Sequence, residues 1–410
     1  MPSPPRRIVI VGAGFAGVWA ALGAAAEREL FATEHAIDIT LVAPGEYLLI
    51  RPRLYERDLR GARVPLYEIL PQVRVRHIDA TVERIDTTER KLEVLGIGVV
   101  HELDYDQLII CAGSRRAIRL EGPRQHGVDN YEEALALRSV LDASHSERPS
   151  VAVVGSNFTG LEVATELAAH AEVHLIEQQD HLAPDFGPNA RAVIEDAIAE
   201  LGIVVHLNAH ATMANAGDEI TTDATVWATG PYAGSIGWAL GLEPDELGRI
   251  PVDERLWTGI DGVWAAGDCA HALADKKHLA AMSCQHAMPM GARAGANAVR
   301  AALDMETERY SQPLYLTCLD LGAAGALLTA GFERDEVLAT GASAKQFKRY
   351  INRHLIYPPT GDAAALLKLG GAAQAGGAAA ALQRRALHSS VVRAGLTKAA
   401  HDRAGDHLTT

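Results

Sequence analysis

Three glycines near the amino terminus, Gly12, Gly14 and Gly17, have the spacing G-x-G-x-x-G, which can bind the pyrophosphate of a dinucleotide. The first glycine permits a tight turn, the second lets the backbone approach the pyrophosphate, and the third lets a helix pack closely on a strand. Phe15 and Ala16 complete the turn and begin the helix. The free N–H groups and the positive end of that helix would hold the phosphates.

A looser copy of this turn begins at Gly155. Gly160 occupies the third glycine place and Thr159 precedes it, but Asn157 stands at the second place. Asparagine tolerates unusual backbone angles, yet its side chain would crowd a pyrophosphate. Glu177 follows at the spacing of roughly 20 residues expected of an acid that binds the ribose hydroxyls. With no arginine beside it, Glu177 favours NADH over NADPH; the alternative is a solvated charge at a strand end.

The first unit departs from the pattern at its ribose position. Ala43 or Pro44 occupies the place of the acid, and Glu46 is the nearest carboxylate. This unit therefore lacks the expected ribose-binding acid but keeps the pyrophosphate site. The following pair, Arg51 and Pro52, predicts a loop or a sheet edge, because proline restrains the residue before it to extended backbone.

Short apolar runs alternate with helix-forming segments, which predicts two parallel α/β units. The runs that close these units end in Ala112-Gly113 and in Gly230, and a later run ends in Gly267 and Asp268. The predicted strands are 8–11, 37–42, 73–80, 108–113, 151–154, 173–176, 226–230 and 262–265, with a meander or hairpin over 81–95 and β structure over 313–330. The predicted helices are 18–26, 131–143, 161–169, 287–303 and 342–355.

Composition excludes several classes of function. The net charge of −14 argues against nucleic acid as a partner. No apolar run is long enough to cross a bilayer, so we expect a cytoplasmic protein. No cysteines are spaced as a local dithiol or a zinc site, and we predict no metal site. The four cysteines are expected to be mostly buried thiols: Cys111, Cys269, Cys284 and Cys318.

Two glycine turns, two similar strand ends and a late Gly-Asp pair together resemble the pyridine nucleotide-disulfide oxidoreductase superfamily over residues 7–305. The resemblance implies an α/β fold with two Rossmann-like, three-layer dinucleotide-binding domains, the second inserted in the first, and a C-terminal α+β segment. It implies FAD bound by residues 1–120 and 251–305, and NADH bound by 121–250. Asp268 resembles the family acid that hydrogen-bonds the ribityl chain of FAD.

Within this superfamily the sequence is most similar to the type II NADH dehydrogenases. The segment EYLLIRPRLYE resembles their loop beside the isoalloxazine ring, and TGLEVATEL resembles their second helix, whose Glu162 would lie near the nicotinamide. Their quinone motif, A-Q-x-A-x-Q-Q-G, is matched by Gln285, Ala287 and a later glycine. Its paired glutamines are replaced by proline and methionine. His286 could donate to the flavin or the acceptor.

These two catalytic assignments have structural alternatives. Glu162 could be a helix acid stabilised by the helix dipole, and His286 could be a hydrogen-bonded structural histidine.

The resemblance implies that a hydride passes from NADH to FAD N5 and that electrons then pass to a quinone or quinone-like acceptor. Hydride transfer needs no general base, which agrees with the absence of a Ser/His/Asp arrangement. The first helix lacks the cysteine pair of disulfide reductases, and widely separated cysteines disfavour sulfide:quinone chemistry. Two alternatives stay open: a ferredoxin reductase similar to apoptosis-inducing factor, and a flavoprotein-derived module without turnover.

The C-terminal part gives weaker signals. Residues 306–361 are expected on the flavin and acceptor side, and 362–410 form a low-complexity tail that is disordered or loosely helical. Residues 344–355 resemble the family's membrane-anchoring helix but are basic and polar. Peripheral contact with the inner membrane face and a homodimer are both left open.

Overall fold

A computed structural model of the chain describes residues 4–33, 35–211, 222–234 and 236–374. Within these ranges the chain forms helices of very different lengths around several sheets. The helices are α1 (Phe15–Leu30), α2 (Tyr131–Asp142), α3 (Phe158–Leu167), α4 (Pro188–Glu200), α5 (Ile236–Ala239), α6 (Cys284–Ala302), α7 (Gly341–Tyr350) and α8 (Ala363–Gln374).

Five parallel strands form the first sheet. In spatial order they are Val263–Ala265, Gln107–Ile110, Arg6–Val11, Ile37–Val42 and Val75–Ile78. The central strand is apolar and almost fully buried from Ile8 onwards, as expected of a parallel strand covered on both faces. The edge strand Val263–Ala265 follows the second sheet in sequence yet returns to the first. The domain boundaries near residues 120 and 250 stay a prediction.

The second sheet repeats this arrangement. Its five parallel strands are, in spatial order, Gln125–His126, Ala224–Trp227, Ser150–Val154, Glu172–Ile176 and Val204–His206. In both sheets, a glycine turn and a helix follow the strand that lies third in this order. Two-stranded ribbons join the sheets to their surroundings: Tyr47–Leu49 with Arg63–Pro65, Arg115–Arg116 with Pro231–Tyr232, and Ile250–Pro251 with Ala270–His271.

Helices α1 and α6 pack backbone to backbone. A Cβ atom added at Gly23 of α1 would lie 2.2 Å from the carbonyl oxygen of Ala292, and one added at Gly291 of α6 would lie 2.1 Å from that of Ala16. No side chain larger than hydrogen fits at either place. This close approach fixes the amino-terminal turn of α6 against the first glycine turn.

Two antiparallel sheets complete the described fold. The predicted meander or hairpin over 81–95 is a hairpin of Thr81–Asp86 and Lys91–Gly96, and Val99–Asp104 extends it to a three-stranded meander. The C-terminal sheet consists of Leu316–Asp320, Ala326–Ala330 and Glu336–Thr340, of which the last was not predicted. The predicted helix 342–355 is α7 followed by a π-helical turn over Ile351–Leu355, and the predicted helix 287–303 begins three residues earlier, at Cys284.

The start of the expected low-complexity tail is an ordered helix. In α8, Leu366 is fully buried, and a Cβ atom added at Gly370 would lie 2.3 Å from the carbonyl oxygen of Leu22 in α1. The small residues that gave this segment its low complexity are the ones that let α8 approach α1. The rest of the predicted tail, residues 375–410, lies outside the described residues.

Candidate functional site

The first glycine turn is closed at two positions and open at the third. A Cβ atom added at Gly12, whose φ is +107°, would lie 2.3 Å from the carbonyl oxygen of Cys111. One added at Gly17 would lie 1.8 Å from the carbonyl oxygen of Gly12. At Gly14 no atom lies within 4 Å of the added Cβ atom. The open side of the turn is therefore at the glycine expected to face a pyrophosphate.

The amino terminus of α1 is free to bind an anion. Gly14 is its N-cap residue, and no side chain caps the helix. Phe15 and Ala16 follow as buried residues, so their side chains point into the protein. The uncapped N–H groups of a first helical turn carry the positive end of the helix dipole. These features fit the phosphates of a dinucleotide.

Asp268 lies beside this turn, as expected for a ribityl-binding acid. Gly267 before it has a φ of +80°, and an added Cβ atom there would lie 2.6 Å from Cβ of Ala16. Ser114 Oγ donates a hydrogen bond to Asp268 Oδ2 at 2.6 Å, while Oδ1 has no protein partner in the described ranges. The side chain is 17% exposed, so Oδ1 can accept a hydrogen bond from a hydroxyl group.

Arg51 joins Asp268 to the linker between the two sheets. Its guanidinium lies 3.8 Å from Asp268 Oδ2 and 3.3 Å from Asp129 Oδ1. It also donates to the carbonyl oxygen of Ser114 at 3.2 Å. The predicted loop or edge at Arg51 and Pro52 is a 3₁₀ turn that follows the short strand Tyr47–Leu49. The structure thus brings Arg51 and Asp268 together.

The other residues predicted in the first unit differ in their exposure. Ala112 is exposed, and Gly113 has a φ of +69° with no atom within 4 Å of an added Cβ atom. Ala43, at the ribose position, is buried. Glu46 is exposed, and its backbone carbonyl oxygen accepts a hydrogen bond from the Leu66 N–H. Its carboxylate has no protein partner among the described residues.

In the second glycine turn, backbone atoms again close the first and third glycine positions, but the residue at the middle position caps the helix. Added Cβ atoms at Gly155 and Gly160 would lie 2.5 and 1.9 Å from the carbonyl oxygens of Ala228 and Gly155. Asn157 is the N-cap of α3, and its Oδ1 accepts the Gly160 N–H at 3.0 Å. Its Nδ2 donates to the carbonyl oxygen of Ala228. The asparagine thus occupies one N–H that the first turn leaves free.

The rim of the second turn has one open glycine and one exposed side chain. Gly230 has a φ of +92°, and no atom lies within 4 Å of an added Cβ atom there. Thr159 is exposed at the start of α3. Space is therefore open at Gly230, and Thr159 is accessible to solvent.

Glu177 is turned inward rather than solvated. Its Oε2 accepts hydrogen bonds from the backbone N–H of Ser156 at 2.9 Å and from Ser156 Oγ at 2.7 Å. Its Oε1 accepts the Gln179 N–H at 2.9 Å. Burial opposes its ionisation, but the hydrogen bonds from Ser156 and the loop hold the pKa of this carboxyl below its ordinary value. Glu177 is therefore an ionised, buried acid.

Glu162 forms a buried ion pair that the sequence did not indicate. Its Oε1 lies 2.7 Å from Lys348 Nζ on α7, and both side chains are 5% exposed. The same oxygen accepts the backbone N–H of Asp320 at 3.0 Å. Burial raises the pKa of Glu162 to about 7, although Lys348 acts in the opposite direction. This acid can therefore exchange a proton near neutral pH.

A second acid extends this cluster. Asp320 Oδ2 accepts a hydrogen bond from the Tyr55 hydroxyl at 3.0 Å, and Oδ1 forms an ion pair with Lys345. The ring of Tyr55 also lies 5.6 Å from Lys348 Nζ. Tyr55 belongs to the loop that resembles the isoalloxazine segment. The cluster therefore connects that loop, the C-terminal sheet, α3 and α7.

The amino-terminal turn of α6 carries the remaining predicted residues. Gln285 is half-buried, and its Nε2 lies 3.5 Å from the carbonyl oxygen of Leu314. Ala287 is buried against Gly267. Pro289, which replaces a glutamine of the quinone motif, lacks the N–H that would bond to the carbonyl oxygen of Gln285. Gln312 Nε2 donates to that oxygen at 3.0 Å and compensates for the proline.

His286 is fully buried in this turn. Its Nδ1 lies 3.2 Å from Ser283 Oγ, and Nε2 has no partner among the described residues. Its ring packs against Tyr315 and Phe332. Burial, assisted by the charge of Arg334, lowers the pKa of His286 to about 4, so the imidazole is neutral. This environment agrees with the structural alternative for His286 and gives no access to solvent.

The cysteines are free and remote from solvent. Cys111, Cys269 and Cys318 are buried and Cys284 is half-buried. Burial raises the pKa of Cys284 to about 11 and that of Cys318 to about 12. Neither is therefore a thiolate near neutral pH, and thiolates rather than thiols are the reactive form.

Clusters of metal ligands and membrane-spanning helices are both absent from the described residues. In these ranges, no three His, Cys, Asp or Glu side chains are grouped so that they could hold a metal ion. No described helix combines the length and apolar character needed to span a membrane.

The sequence did not predict which residues bond to the candidate residues. Lys348, Asp320 and Gln312 lie far from those residues in sequence, and no local spacing could have connected them. Ser156 could have been found, because it lies inside the second glycine turn and its hydroxyl can reach the acid at the end of the next strand.

Comparison with known proteins agrees with this geometry. The profile of the family described as pyridine nucleotide-disulphide oxidoreductase matches residues 6–291. A NADH dehydrogenase-like protein of Mycobacterium tuberculosis is 36% identical over 391 residues, which cover 88% of this chain and 97% of that protein. A type II NADH:quinone oxidoreductase of Haemophilus influenzae is 26% identical over 274 residues, covering 58% of this chain and 62% of that protein.

A solved structure extends the similarity in fold. An NDH2 from Plasmodium falciparum, in complex with NADH, superposes with a TM-score of 0.68. It is 15% identical and the match covers 89% of this chain and 97% of that chain. The similarity in fold therefore extends over most of the chain.

Proposed function

The chain belongs to the pyridine nucleotide-disulphide oxidoreductase family, and from this premise we propose that it passes electrons from NADH to a quinone or quinone-like small acceptor. It is a flavoprotein oxidoreductase that uses FAD and NADH. The acceptor is the part of the function that the proposal adds.

The residues of the first unit fit FAD. The open turn at Gly14 and the uncapped start of α1 would hold its pyrophosphate, and Asp268 Oδ1 would accept a ribityl hydroxyl. Bound FAD supplies the chemistry of accepting a hydride and releasing electrons. Arg51 lies between Asp268 and Asp129 and offsets part of their negative charge.

The state of the cysteines carries the proposal for the acceptor. Several relatives in this superfamily reduce disulfides through a cysteine pair in the first helix, but α1 contains none. The half-buried Cys284 has a pKa of about 11, and the other three thiols are buried. With no thiolate available to relay electrons, we infer that they leave without a disulfide intermediate, for an acceptor of the quinone type that the names of the type II relatives give.

The start of α6 would meet that acceptor. Gln285 offers a half-exposed amide there, and Gln312 fixes the turn by bonding to the Gln285 carbonyl oxygen. Glu162, with a pKa of about 7 beside Lys348, can hold the proton that quinone reduction consumes in addition to the hydride. We therefore assign acceptor binding to Gln285 and proton exchange to Glu162, whereas His286 supports the turn.

Contact with a membrane would be electrostatic. In the segment 344–355, which resembles the family's membrane-anchoring helix, Lys348 points inward and Lys345 is paired with Asp320. Arg349 and Arg353 are the exposed arginines of this segment. We infer peripheral binding on the cytoplasmic side, which sedimentation with anionic vesicles at low and high salt would test. The homodimer stays a prediction, to be tested by the molar mass in solution.

An anaerobic titration tests the proposed function. Addition of NADH to the FAD-loaded protein is expected to bleach the flavin absorbance, and a water-soluble naphthoquinone is expected to restore it. Gln285→Ala should raise the KM for the quinone at least about threefold without changing the bleaching by NADH. The control Gln346→Ala, at an exposed glutamine of α7, should change neither.

Three outcomes would contradict the proposal. Recovery of the absorbance with a ferredoxin but not with the quinone would favour the ferredoxin reductase alternative. A flavin that NADH does not bleach would favour a module without turnover. A KM for the quinone that Gln285→Ala leaves unchanged would remove Gln285 from the acceptor site.

A further inference from the structure

A cavity of about 280 Å³ opens between the loop that follows Pro52 and the segment that follows α7. None of its lining residues belongs to either glycine turn, and neither the FAD site nor the proposed acceptor site uses them. We call it the arginine cavity, because three of its lining residues are arginines and one is an acid. It is lined by Arg53, Asp58, Arg60, Gly61, Arg353 and Tyr357.

Arg53 is the buried cation of the arginine cavity. Its side chain is 5% exposed, and its Nε and Nη2 donate to Glu56 Oε2 at 3.0 and 2.8 Å. Its Nη1 donates to the Tyr357 hydroxyl at 2.7 Å. A guanidinium carries five N–H groups, so two remain for a ligand. A Cβ atom added at Gly61 would lie 3.3 Å from Nη1, so a larger residue there would crowd the guanidinium.

Hydrogen bonds join the two walls of the arginine cavity. The Tyr357 hydroxyl donates to the carbonyl oxygen of Gly61. Asn352, buried in the π-helical turn, has its Nδ2 3.3 Å from the carbonyl oxygen of Pro52 and 3.2 Å from Glu56 Oε1. Single π-helical turns are frequent at functional sites. The walls are therefore held in place before a ligand binds, which lowers the entropic cost of binding.

Arg353 has all of its donors available. It is exposed on the π-helical turn and forms no hydrogen bond or ion pair with any described residue. Arg60, by contrast, donates to Asp58 through Nε and Nη2. The three arginines face two acids, Asp58 in the lining and Glu56 behind Arg53, so one positive charge is in excess. The cavity is therefore suited to a small anion.

We propose that the arginine cavity binds a phosphate group, with Arg353 as its main ligand and Arg53 as a second. The planar fork of arginine matches phosphate oxygens, and hydrogen bonds between charged partners are stronger than neutral ones. A soluble phosphate ester and a phospholipid headgroup both present this group. The proposal goes beyond the proposed function, because it involves neither the acceptor nor electron transfer.

Isothermal titration with glycerol phosphate tests the proposal, because this compound is a soluble ester and also the common part of phospholipid headgroups. The FAD-loaded parent is compared with Arg353→Gln, which removes the charge and the fork. Arg349→Gln is the matched control, because it removes an exposed arginine of α7 that does not line the cavity. We expect the Kd to rise at least about tenfold in Arg353→Gln and to change less than about twofold in Arg349→Gln.

Two outcomes of this titration would overturn the proposal. One is a parent protein that does not bind glycerol phosphate, and the other is a Kd that Arg353→Gln leaves unchanged. Bleaching of the flavin by NADH should be the same in all three proteins, so a failure of the proposed function would be seen separately from a failure of the cavity.

Sedimentation with phosphatidylglycerol vesicles distinguishes the two sources of phosphate. An arginine near an anionic surface contributes about fivefold to binding by its charge alone. A loss in Arg353→Gln that exceeds the loss in Arg349→Gln by about threefold or more would assign the cavity to a lipid headgroup. Equal losses in the two variants would assign it to a soluble phosphate ester.

Chemical modification of the parent provides a test that does not depend on the folding of a variant. Phenylglyoxal modifies exposed arginines, and mass spectrometry of peptides gives the rate at each position. Glycerol phosphate should slow the modification of Arg353 severalfold and leave that of Arg349 unchanged. Equal rates at Arg353 with and without glycerol phosphate would contradict the proposal.

Discussion

The two glycine turns follow the same backbone path. The first glycines have φ values of +107° at Gly12 and +100° at Gly155. Cβ atoms added at the third glycines, Gly17 and Gly160, would lie 1.8 and 1.9 Å from a carbonyl oxygen of the same turn. Steric exclusion at these two positions therefore defines the turn, and it is equally strict in both units.

The middle position shows that the same backbone serves two different purposes. Gly14 leaves its turn open and α1 uncapped, whereas Asn157 caps α3. Five residues after the middle position of each turn, Trp19 of α1 corresponds to Glu162 of α3. Trp19 is buried beside Phe15, with ring centroids 5.8 Å apart, but Glu162 is buried against Lys348.

This contrast teaches how the two units differ in chemistry. The first unit contributes backbone groups and apolar packing around its turn, so its function depends on space and on uncapped N–H groups. The second unit has side chains that bond to the turn and ionisable groups on its helix. Away from the first and third glycines, whose steric limits the two units share, substitutions should therefore affect the first unit through the space at its turn and the second through charge and capping.

Alanine at the third glycine of each turn is expected to have the largest effect. Because the added methyl group meets backbone that cannot move away, Gly17→Ala and Gly160→Ala should each lower the free energy of unfolding by about 3 kcal/mol or more. Gly17→Ala should also lose bound flavin. Gly160→Ala should keep flavin but resist bleaching by NADH. Chemical denaturation and the flavin spectrum measure both effects.

Gly14→Ala is the matched control for this prediction. No atom lies within 4 Å of its added methyl group, so stability without flavin should change by less than about 1 kcal/mol. Flavin affinity should nevertheless fall, because the methyl group occupies the open side. Equal loss of stability in Gly14→Ala and Gly17→Ala would contradict the steric account of the turn.

Removal of Lys348 is expected to have the next largest effect. Lys348→Met leaves the buried carboxylate of Glu162 without its cation, which should cost about 3 kcal/mol or more of unfolding free energy at pH 8. The double variant Glu162→Gln/Lys348→Met should recover most of this loss. Urea denaturation of the two variants measures the difference, and a double variant no more stable than Lys348→Met would refute the pairing.

The pH dependence of stability should also distinguish the second unit. The folded chain holds the pKa of Glu162 at about 7, above the ordinary 4.5, so it favours the protonated acid. The stabilisation from this preference is complete below about pH 4.5 and is lost as the pH rises through 7. Between pH 5 and 8 the parent should lose about 2 to 3 kcal/mol relative to the Glu162→Gln/Lys348→Met variant.

Denaturation at several pH values measures this difference. Lys348, whose pKa is raised above 10.5, stays charged throughout this range and does not contribute to the slope. The matching pair Trp19 and Phe15 has no titratable group. A parent and a double variant with parallel pH profiles would show that Glu162 does not titrate in this window.

The sequence predicted the parts of the fold that depend on local order. Strand, turn and helix follow one another within about 20 residues, so both glycine turns, α1 and α3 could be recognised from spacing alone. The helix bounds moved by a few residues, and the role of Asp268 stays a prediction from the resemblance.

The rest depends on contacts between distant segments. Nothing near Glu162 in sequence indicates that Lys348 of α7 will meet it, since 186 residues separate them. Likewise, Pro289 gave no sign that Gln312 would bond to the carbonyl oxygen it leaves free. The helix α8 was taken for a tail because its alanines and glycines become meaningful only against the backbone of α1.

The smallest effect is expected at the middle position, where the two turns differ most. Asn157→Ala removes the acceptor of the Gly160 N–H and the donor to the Ala228 carbonyl oxygen, so it should lower the free energy of unfolding by about 1 kcal/mol. Asn157→Gly, which recreates the first turn, should cost only a few tenths of a kcal/mol because glycine is tolerated at an N-cap. It should also lower the Kd of ADP-ribose, since the freed N–H group and the added space become available to the pyrophosphate. Denaturation of these two variants measures the capping effect, and titration with ADP-ribose measures the crowding effect. If Asn157→Gly weakens ADP-ribose binding, the asparagine is itself a ligand of the nucleotide. The second turn is then adapted to its nucleotide rather than partly blocked.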